Sequence, residues 1–413
     1  MSKELEDDLR RTLAFASERA PRAPGGLSGQ VVARSRGRRM RVQALVAAVA
    51  VVVVAGGVGA VVRAAGDHAA PTAVTPVEAT GAPSEGIGDP WGREPQTADI
   101  PDLVDKVWPE AVWRIPGRLP GGQKYQPRHF IDDRTLLLET WESFEKANAI
   151  YAYDLVTGRT RKIAAIRTPK GVYASGYVSG AGHIVYQTVH VIAGESVTRF
   201  WSVPIKGGEP TAIETDKEVK SRGTELAVVG DRVAFSLSDG GVFTVPLGGG
   251  AVTAVQGADR HHLLSWPWVG TPGDYTPGNE PSFEELLNVE TGETSRAVIH
   301  PGETNVRCGV TTCVGRKSDR TAFYRLRDGS QERVLDPASS RGLAADRFVT
   351  VHLPRSPGGQ TLNDLVTGKS ADLGLRPNAK GQSTSIQPDI GDGRLVAYEL
   401  KGKYVIIDLM KIQ

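Results

Sequence analysis

Two patterns of apolar and polar positions divide the chain. Between Val42 and Val62 there is no alternation: Val, Ala, Gly and Leu run on with Gln43 as the only polar side chain and no charge. At the helical rise that run extends ~31 Å, enough to cross a hydrocarbon core of ~30 Å. A cleaved secretory signal and a buried helix of a soluble protein are the competing readings; the apolar part of a signal is usually shorter, and so Val-rich a segment is a poor helix former in water. Ahead of the run, Leu5, Leu9 and Leu13 lie four residues apart on an otherwise polar stretch, the stripe of a short amphipathic helix. Acids lead and arginines follow in that stretch, as the helix macrodipole favours. Beyond residue 100 the pattern is short apolar–polar alternation broken by Gly, the signature of strands and tight turns.

That alternation repeats. Tyr151-Ala-Tyr-Asp154-Leu-Val-Thr-Gly158-Arg159 returns as Leu362-Asn-Asp364-Leu-Val-Thr-Gly368-Lys369. Alignment on Asp154 gives Pro204, Pro246, Asn288, Arg325, Asp364 and Asp408 as equivalents, about 42 residues apart. Gly stands four residues on in every copy but the last: Gly158, Gly208, Gly250, Gly292, Gly329 and Gly368. Four short strands per ~42 residues is the period of a propeller blade, so the chain is read as all-β, a seven-bladed β-propeller. The last copy ends on Tyr404 to Leu409 with nothing left for an outer strand, while an orphan strand, Ala111 to Pro116, precedes the first copy. That strand is expected to fill the vacancy.

The domains are then a cytoplasmic tail with a short amphipathic helix (1–41), a transmembrane helix (42–62), an Ala/Pro/Thr/Gly-rich linker (63–100) and the propeller (101–413). Charge sets the orientation. Arg34, Arg36, Arg38, Arg39 and Arg41 precede the span and only Arg63 follows it closely, which puts the N-terminus in the cytoplasm and the propeller outside the cell membrane. The formal net charge of +2 leaves the outer domain without the basic footprint of a nucleic-acid binder; a DNA-binding arm is the competing reading of the arginine block.

The stretch Trp201-Ser-Val-Pro204-Ile-Lys-Gly-Gly208-Glu-Pro210 resembles repeats of TolB-like and WD40-like bacterial propellers. The whole chain resembles actinobacterial single-pass membrane proteins that carry such a propeller outside the membrane. The Gly-His and Trp-Asp dipeptides of WD40 repeats are absent, so that family's binding surface is not carried over.

Candidate chemistry is sparse. Cys308 and Cys313, the only cysteines, fall where the fifth blade should turn from its first strand to its second, and a disulfide across that hairpin is expected in an oxidising compartment. His261, His262, Trp266, Trp268 and Tyr275 surround a Pro-rich insertion and form a candidate binding loop; the structural alternative packs the tryptophans between blades. Neighbouring strand residues point to opposite faces, so the two histidines are not expected to chelate together. Thr367-Gly368-Lys369-Ser370 imitates a phosphate-binding loop but reads as a blade turn, as does Asp389 to Gly393. No catalytic motif stands out, and no cofactor or metal is expected. Two function classes follow. The first is a membrane-anchored binding or sensing protein, with Leu5, Leu9 and Leu13 contacting a cytosolic partner. A tail, one span and an outer domain resemble the layout of bacterial anti-sigma regulators, which implies a sigma factor as that partner, although the zinc ligands of the usual sigma-binding domain are missing. The second is a membrane-tethered propeller enzyme, lactonase-like or quinoprotein-like; seven blades and separated cysteines fit a quinoprotein poorly, and a lactonase would need a central metal.

Overall fold

The computed structural model describes residues 100–413 except 144–145, 193, 222, 274–280, 337–342, 354–357, 379–385 and 387–392. The tail, the span Val42–Val62 and most of the linker lie outside the described residues, among which no helix is long and apolar enough to cross a membrane. The fold is all-β, with seven antiparallel sheets in chain order: a seven-bladed β-propeller. Apart from the 3-10 turns, one four-residue helix, Val104–Val107, is present among the described residues.

The chain divides into two compact units. The first holds blades 1 to 4. Blade 1 is Tyr125–Phe130, Thr135–Ser143, Lys146–Asp154 and Thr160–Ala165; blade 3 is Leu226–Val229, Arg232–Ser236, Val242–Pro246 and Thr253–Ala254; blade 4 is His262–Ser265, Trp268–Thr271, Glu285–Asn288 and Thr294–Arg296. Blade 2 departs from the four-strand expectation. Its fourth position is split into Thr211–Ile213 and Val219–Lys220, both paired to the ten-residue strand Glu195–Pro204, because that strand is too long for one short partner to cover.

The second unit holds blade 5 (Thr304–Cys308, Thr312–Arg316, Ala322–Leu326 and Arg333–Leu335), then Phe348–His352, Gln360–Asp364 and Ser370–Asp372 of blade 6. In the last blade Lys403–Asp408 lies between Leu395–Leu400 and the early strand Val112–Pro116. The orphan strand therefore takes the outer position, as its sequence implied, one residue shorter because Ala111 belongs to a 3-10 turn.

Six of the seven aligned positions are the last residue of a strand, Arg325 standing one residue before the end of its own, and the turn that follows explains the repeat. Where the anchor is Asp or Asn, its side chain caps the turn. Asp154 Oδ1 accepts from the Val156 and Thr157 amides at 2.9 Å, Asn288 Oδ1 from Glu290 and Thr291, and Asp364 Oδ1 from Val366 at 3.0 Å. The amide of the Gly four residues on then reaches back to the anchor carbonyl in all three copies. Those glycines have φ of 69°, 74° and 73°, where a Cβ would be strained. Pro204 and Pro246 offer no capping oxygen. There the turn closes one residue earlier, and the amides of Gly208 and Gly250 bond the carbonyls of Ile163 and Glu214 on the preceding blade.

Alternation along each strand buries both faces of a blade against its neighbours. Leu137, Ile150 and Ile163 of blade 1 pack with Tyr177, Ile184 and Val203 of blade 2, and Val185 and Phe200 with Val233 and Phe235 of blade 3. In the second unit Phe348, Leu362 and Ala371 pack with Val405, Ile407 and the incoming Val104, Trp108 and Ala111. Polar side chains staple the same seams. Gln187 spans the Thr224 backbone, donating to its carbonyl at 2.7 Å and accepting from its amide at 3.1 Å, and Gln360 does the same to Ile386.

Candidate functional site

The loop singled out in blade 4 separates into parts with different roles. His262 opens the strand His262–Ser265 and pairs with Gly270; its ring lies so close to Gly273 that a Cβ there would sit 2.7 Å away. His261 precedes the strand, in a turn where its amide donates to Ala258 and its carbonyl accepts from Gly241. Burial lowers the basicity of both rings, so both are neutral near pH 7. Trp266 is half-buried and, like Leu287 and Val289, packs against the cluster of Val242, Ala258, Leu263 and Val269 between blades 3 and 4, and it donates from Nε1 to Glu290 at 2.7 Å. Trp268 sits mid-sheet between Ser265 and Asn288. Tyr275 lies outside the described residues, as do Leu5, Leu9, Leu13, Asp389 and Asp392. Trp266 thus takes the interblade role that was the structural alternative for it.

Cys308 and Cys313 are bonded. They face each other across the first hairpin of blade 5, with Cα atoms 4.0 Å apart, and both are buried. Thr367 and Gly368 form the blade turn described above: the Thr367 hydroxyl donates to Asp364, and no phosphate-binding loop is present at this site.

Sequence reasoning passed over the buried charges. The anchor Asp of three copies also takes an arginine from just before the preceding strand: Arg134 with Asp154, Arg347 with Asp364, Arg394 with Asp408. The Thr157 amide first and then the Arg134 guanidinium hold the Asp154 carboxyl at about 2. Burial pushes the Asp364 carboxyl up, but Arg347, Thr367 and the Val366 amide outweigh it and leave it below the ordinary range. In blade 5 the anchor is Arg325 and the charges are reversed, with Glu303 and Glu332 as its partners. Between blades 1 and 2, Arg128 pairs with Glu139, whose other oxygen accepts from the Tyr177 hydroxyl at 2.7 Å. The same guanidinium stands 5.9 Å from the ring centres of Trp141 and Tyr177. These carboxylates are held by strands of the scaffold, and each already has a cation.

His129 is different. It is 5 % exposed, and neither ring nitrogen has a hydrogen bond of normal geometry. Desolvation depresses its pKa to about 4, against a weaker opposing effect of the Tyr177 backbone. The unfolded chain, with an ordinary His near 6.5, therefore binds a proton that the folded chain refuses. Stability must fall as pH drops from 6.5 toward 4, by about 3 kcal/mol from this group alone. The difference in urea-unfolding free energy between the protein and His129→Leu, measured from pH 7.5 to 4, should shift by that amount in favour of the variant; a pH-independent difference would refute the assignment.

Among the described residues no group of three or more His, Cys, Asp or Glu side chains is placed to hold a metal ion.

No family model matches the sequence, and no curated protein does. Among solved structures, the computationally designed Ika8 protein is similar at 12% identity, covering 70% of this chain and 96% of its own, with a TM-score of 0.34. BamB from Moraxella catarrhalis is similar at 12% identity over 70% of this chain and 87% of its own, with a TM-score of 0.31. The C-terminal WD40 domain of Sif2 is similar at 13% identity over 68% of this chain and 80% of its own, with a TM-score of 0.32. Likenesses this distant assign neither a binding surface nor an activity.

Proposed function

We propose that the protein is a binding and sensing module held in the cell membrane by Val42–Val62, with the propeller outside and the tail in the cytosol. The observation that carries this reading is the buried Cys308–Cys313 disulfide, because such bonds persist in extracytoplasmic compartments and are rare in the reducing cytosol. It agrees with the arginine asymmetry about the span. Binding is favoured over catalysis because the buried carboxylates Glu139, Glu303, Asp364 and Asp408 are ion-paired within the scaffold, leaving them poorly suited to proton transfer. A reporter active only outside the cell should work when fused after Gln413, and activity only from an N-terminal fusion would reverse the topology.

The cytosolic end of the reading is a protein partner for Leu5, Leu9 and Leu13, with a sigma factor as first candidate. So short a helix gains most of its stability by docking its apolar stripe. Glu4, Glu6, Asp7 and Asp8 would be repelled by an anionic leaflet, which favours a protein over the lipid surface. Replacing the three leucines with Ser should abolish recovery of the partner from membranes while leaving insertion intact. Equal recovery with the triple variant would rule out the stripe as the contact.

A further inference from the structure

Between Asp154 and Glu195 the sequence holds no acid, the longest such interval in the propeller, yet Arg159, Arg161, Lys162, Arg167 and Lys170 lie within it. The fold brings those five to one edge. Arg161 and Lys162 stand on Thr160–Ala165, the outermost strand of blade 1, with Arg159 just before it and Arg167 and Lys170 just after. All five are exposed, and among the described residues none is paired with an acid. Asp154, at the foot of the strand, is already held by Arg134. The outer strands of blades 2 and 4 neutralise their cations instead: Lys220 meets Glu195 at 2.7 Å, and Arg296 meets Glu284 at 2.8 Å and Glu285 at 3.3 Å. A row of one sign repels itself and works against the compact state, so packing gives no reason to keep it.

One member of the row is fixed in place. Arg161 donates from Nη1 to the Lys206 carbonyl and from Nη2 to the Ile205 carbonyl, both at 2.8 Å. Carbonyls orient the guanidinium without cancelling its charge, and the blade 2 turn that supplies them adds the exposed Lys206 to the row. Glu209 is the acid nearest to Lys206 in sequence. The Gly208 amide takes the Ile163 carbonyl at 3.1 Å, which closes this edge to an added strand and disfavours a protein that docks by strand addition. Arg161 pairs with Ala152 and Lys162 with Tyr151, so the two project to opposite faces. The cations therefore line an edge and do not close round a cavity. From Arg159 to Arg167 that edge runs roughly 26 Å at ~3.3 Å per residue, a shape for an extended anion and not for a small one. Ile163, Ala164 and Ile166 are buried, so the strand offers charge without an apolar wedge for lipid.

We propose that the outer edge of blade 1 binds a linear anionic glycopolymer, one whose repeats carry carboxylate or phosphate. The inference rests on the anchored reading above for where such a polymer is met, at the outer cell surface, and deepens it by naming the class of ligand. Exposed cations act on a polyanion through screened charge and the release of its counterions, so the affinity falls steeply as salt rises.

The test uses the full chain in neutral detergent, its disulfide intact, titrated into end-labelled polyglucuronate, poly(glycerol phosphate) and neutral dextran. At least one anionic polymer should bind at low salt and be released at high salt, and dextran should not bind; which polymer binds separates carboxylate from phosphate. Replacing Arg159, Lys162, Arg167 and Lys170 together with Ser should weaken binding by about ten-fold or more. Arg161 is kept because it holds the blade 2 turn. Removing four cations exposed elsewhere, by Lys124→Ser, Lys369→Ser, Lys401→Ser and Lys403→Ser, should weaken it by less than about two-fold. Equal losses in the two variants would assign binding to net charge and overturn the proposal, as would tighter binding to phosphatidylglycerol vesicles than to either polymer. No polymer binding by a chain whose reporter after Gln413 works outside the cell would overturn the site alone and leave the anchored reading standing.

Discussion

Deletion of residues 101–116 leaves a chain that does not reach a soluble folded state. Two losses combine. Val104, Trp108 and Ala111 are nearly inaccessible within the core shared by the last two blades, and Trp108 meets Phe348 edge to face at 6.4 Å. Truncating a buried tryptophan alone costs about 3–5 kcal/mol, against a total stability on the order of 5–15 kcal/mol. The strand Val112–Pro116 also covers one edge of Lys403–Asp408, whose residues Tyr404 to Asp408 are all buried. Uncovering that edge leaves an apolar strand with unpaired amides and carbonyls, a template for aggregation. In detergent extracts the deletion variant should pellet as aggregate, and Trp108→Ala should stay in solution with its urea midpoint lowered by the equivalent of about 3–5 kcal/mol. A soluble deletion variant with an unchanged unfolding transition would show that the strand closes nothing.

What the sequence disclosed and what it hid have different physical origins. The turn after each third strand is local: one side chain, one glycine and the amides between them, all within five residues, so the Asp154 and Asp364 motifs could be aligned by eye and the blade count followed. The arginine that completes the same turn is not local. It lies 20 residues before Asp154, 17 before Asp364 and 14 before Asp408, because the intervening hairpin differs in length from blade to blade. No fixed spacing marks it. Blade 5 hides the device further by exchanging the charges. His129 was illegible for another reason: the strand Tyr125–Phe130 carries a register shift between Pro127 and His129, so plain alternation cannot place His129 on a face. The tryptophans of the blade 4 loop were legible as a cluster, but their part in packing depended on which blade lay beside them.

Arg325 offers the sharpest test of whether these internal charges stabilise the propeller. Its side chain is 0% exposed and lies against Glu303, which is 3% exposed, and Glu332, which is 30% exposed. Nη1 and Nη2 each reach a Glu303 oxygen at 2.6 Å, while Phe323 lies 4.4 Å below the guanidinium. Replacing Arg325 with Met keeps the volume near Phe323 but leaves Glu303 buried without a cation. Removing one partner of such a pair costs about 3–5 kcal/mol, whereas replacing both with apolar groups is often neutral. Arg325→Met should therefore lower the unfolding free energy by about that amount at pH 7, and Arg325→Met combined with Glu303→Leu should recover most of it. Glu332 keeps Lys317 at 2.6 Å in either case. Acid separates this account from a simple packing defect. In the native protein burial pushes the Glu303 carboxyl up, but the Arg325 bonds, aided by the His300 amide, hold it below its ordinary 4.5. Its contribution is present above pH 4.5 and lost as pH falls through the depressed value. In the single variant the desolvation remains and the cation is gone, so the carboxyl's pKa rises above 4.5 and it takes up a proton on mild acidification. The deficit of Arg325→Met relative to the native protein should then shrink between pH 7 and pH 4. A deficit of the same size at both pH values, or one undiminished in the double variant, would mean that packing around Phe323 sets the cost and that the ion pair does not.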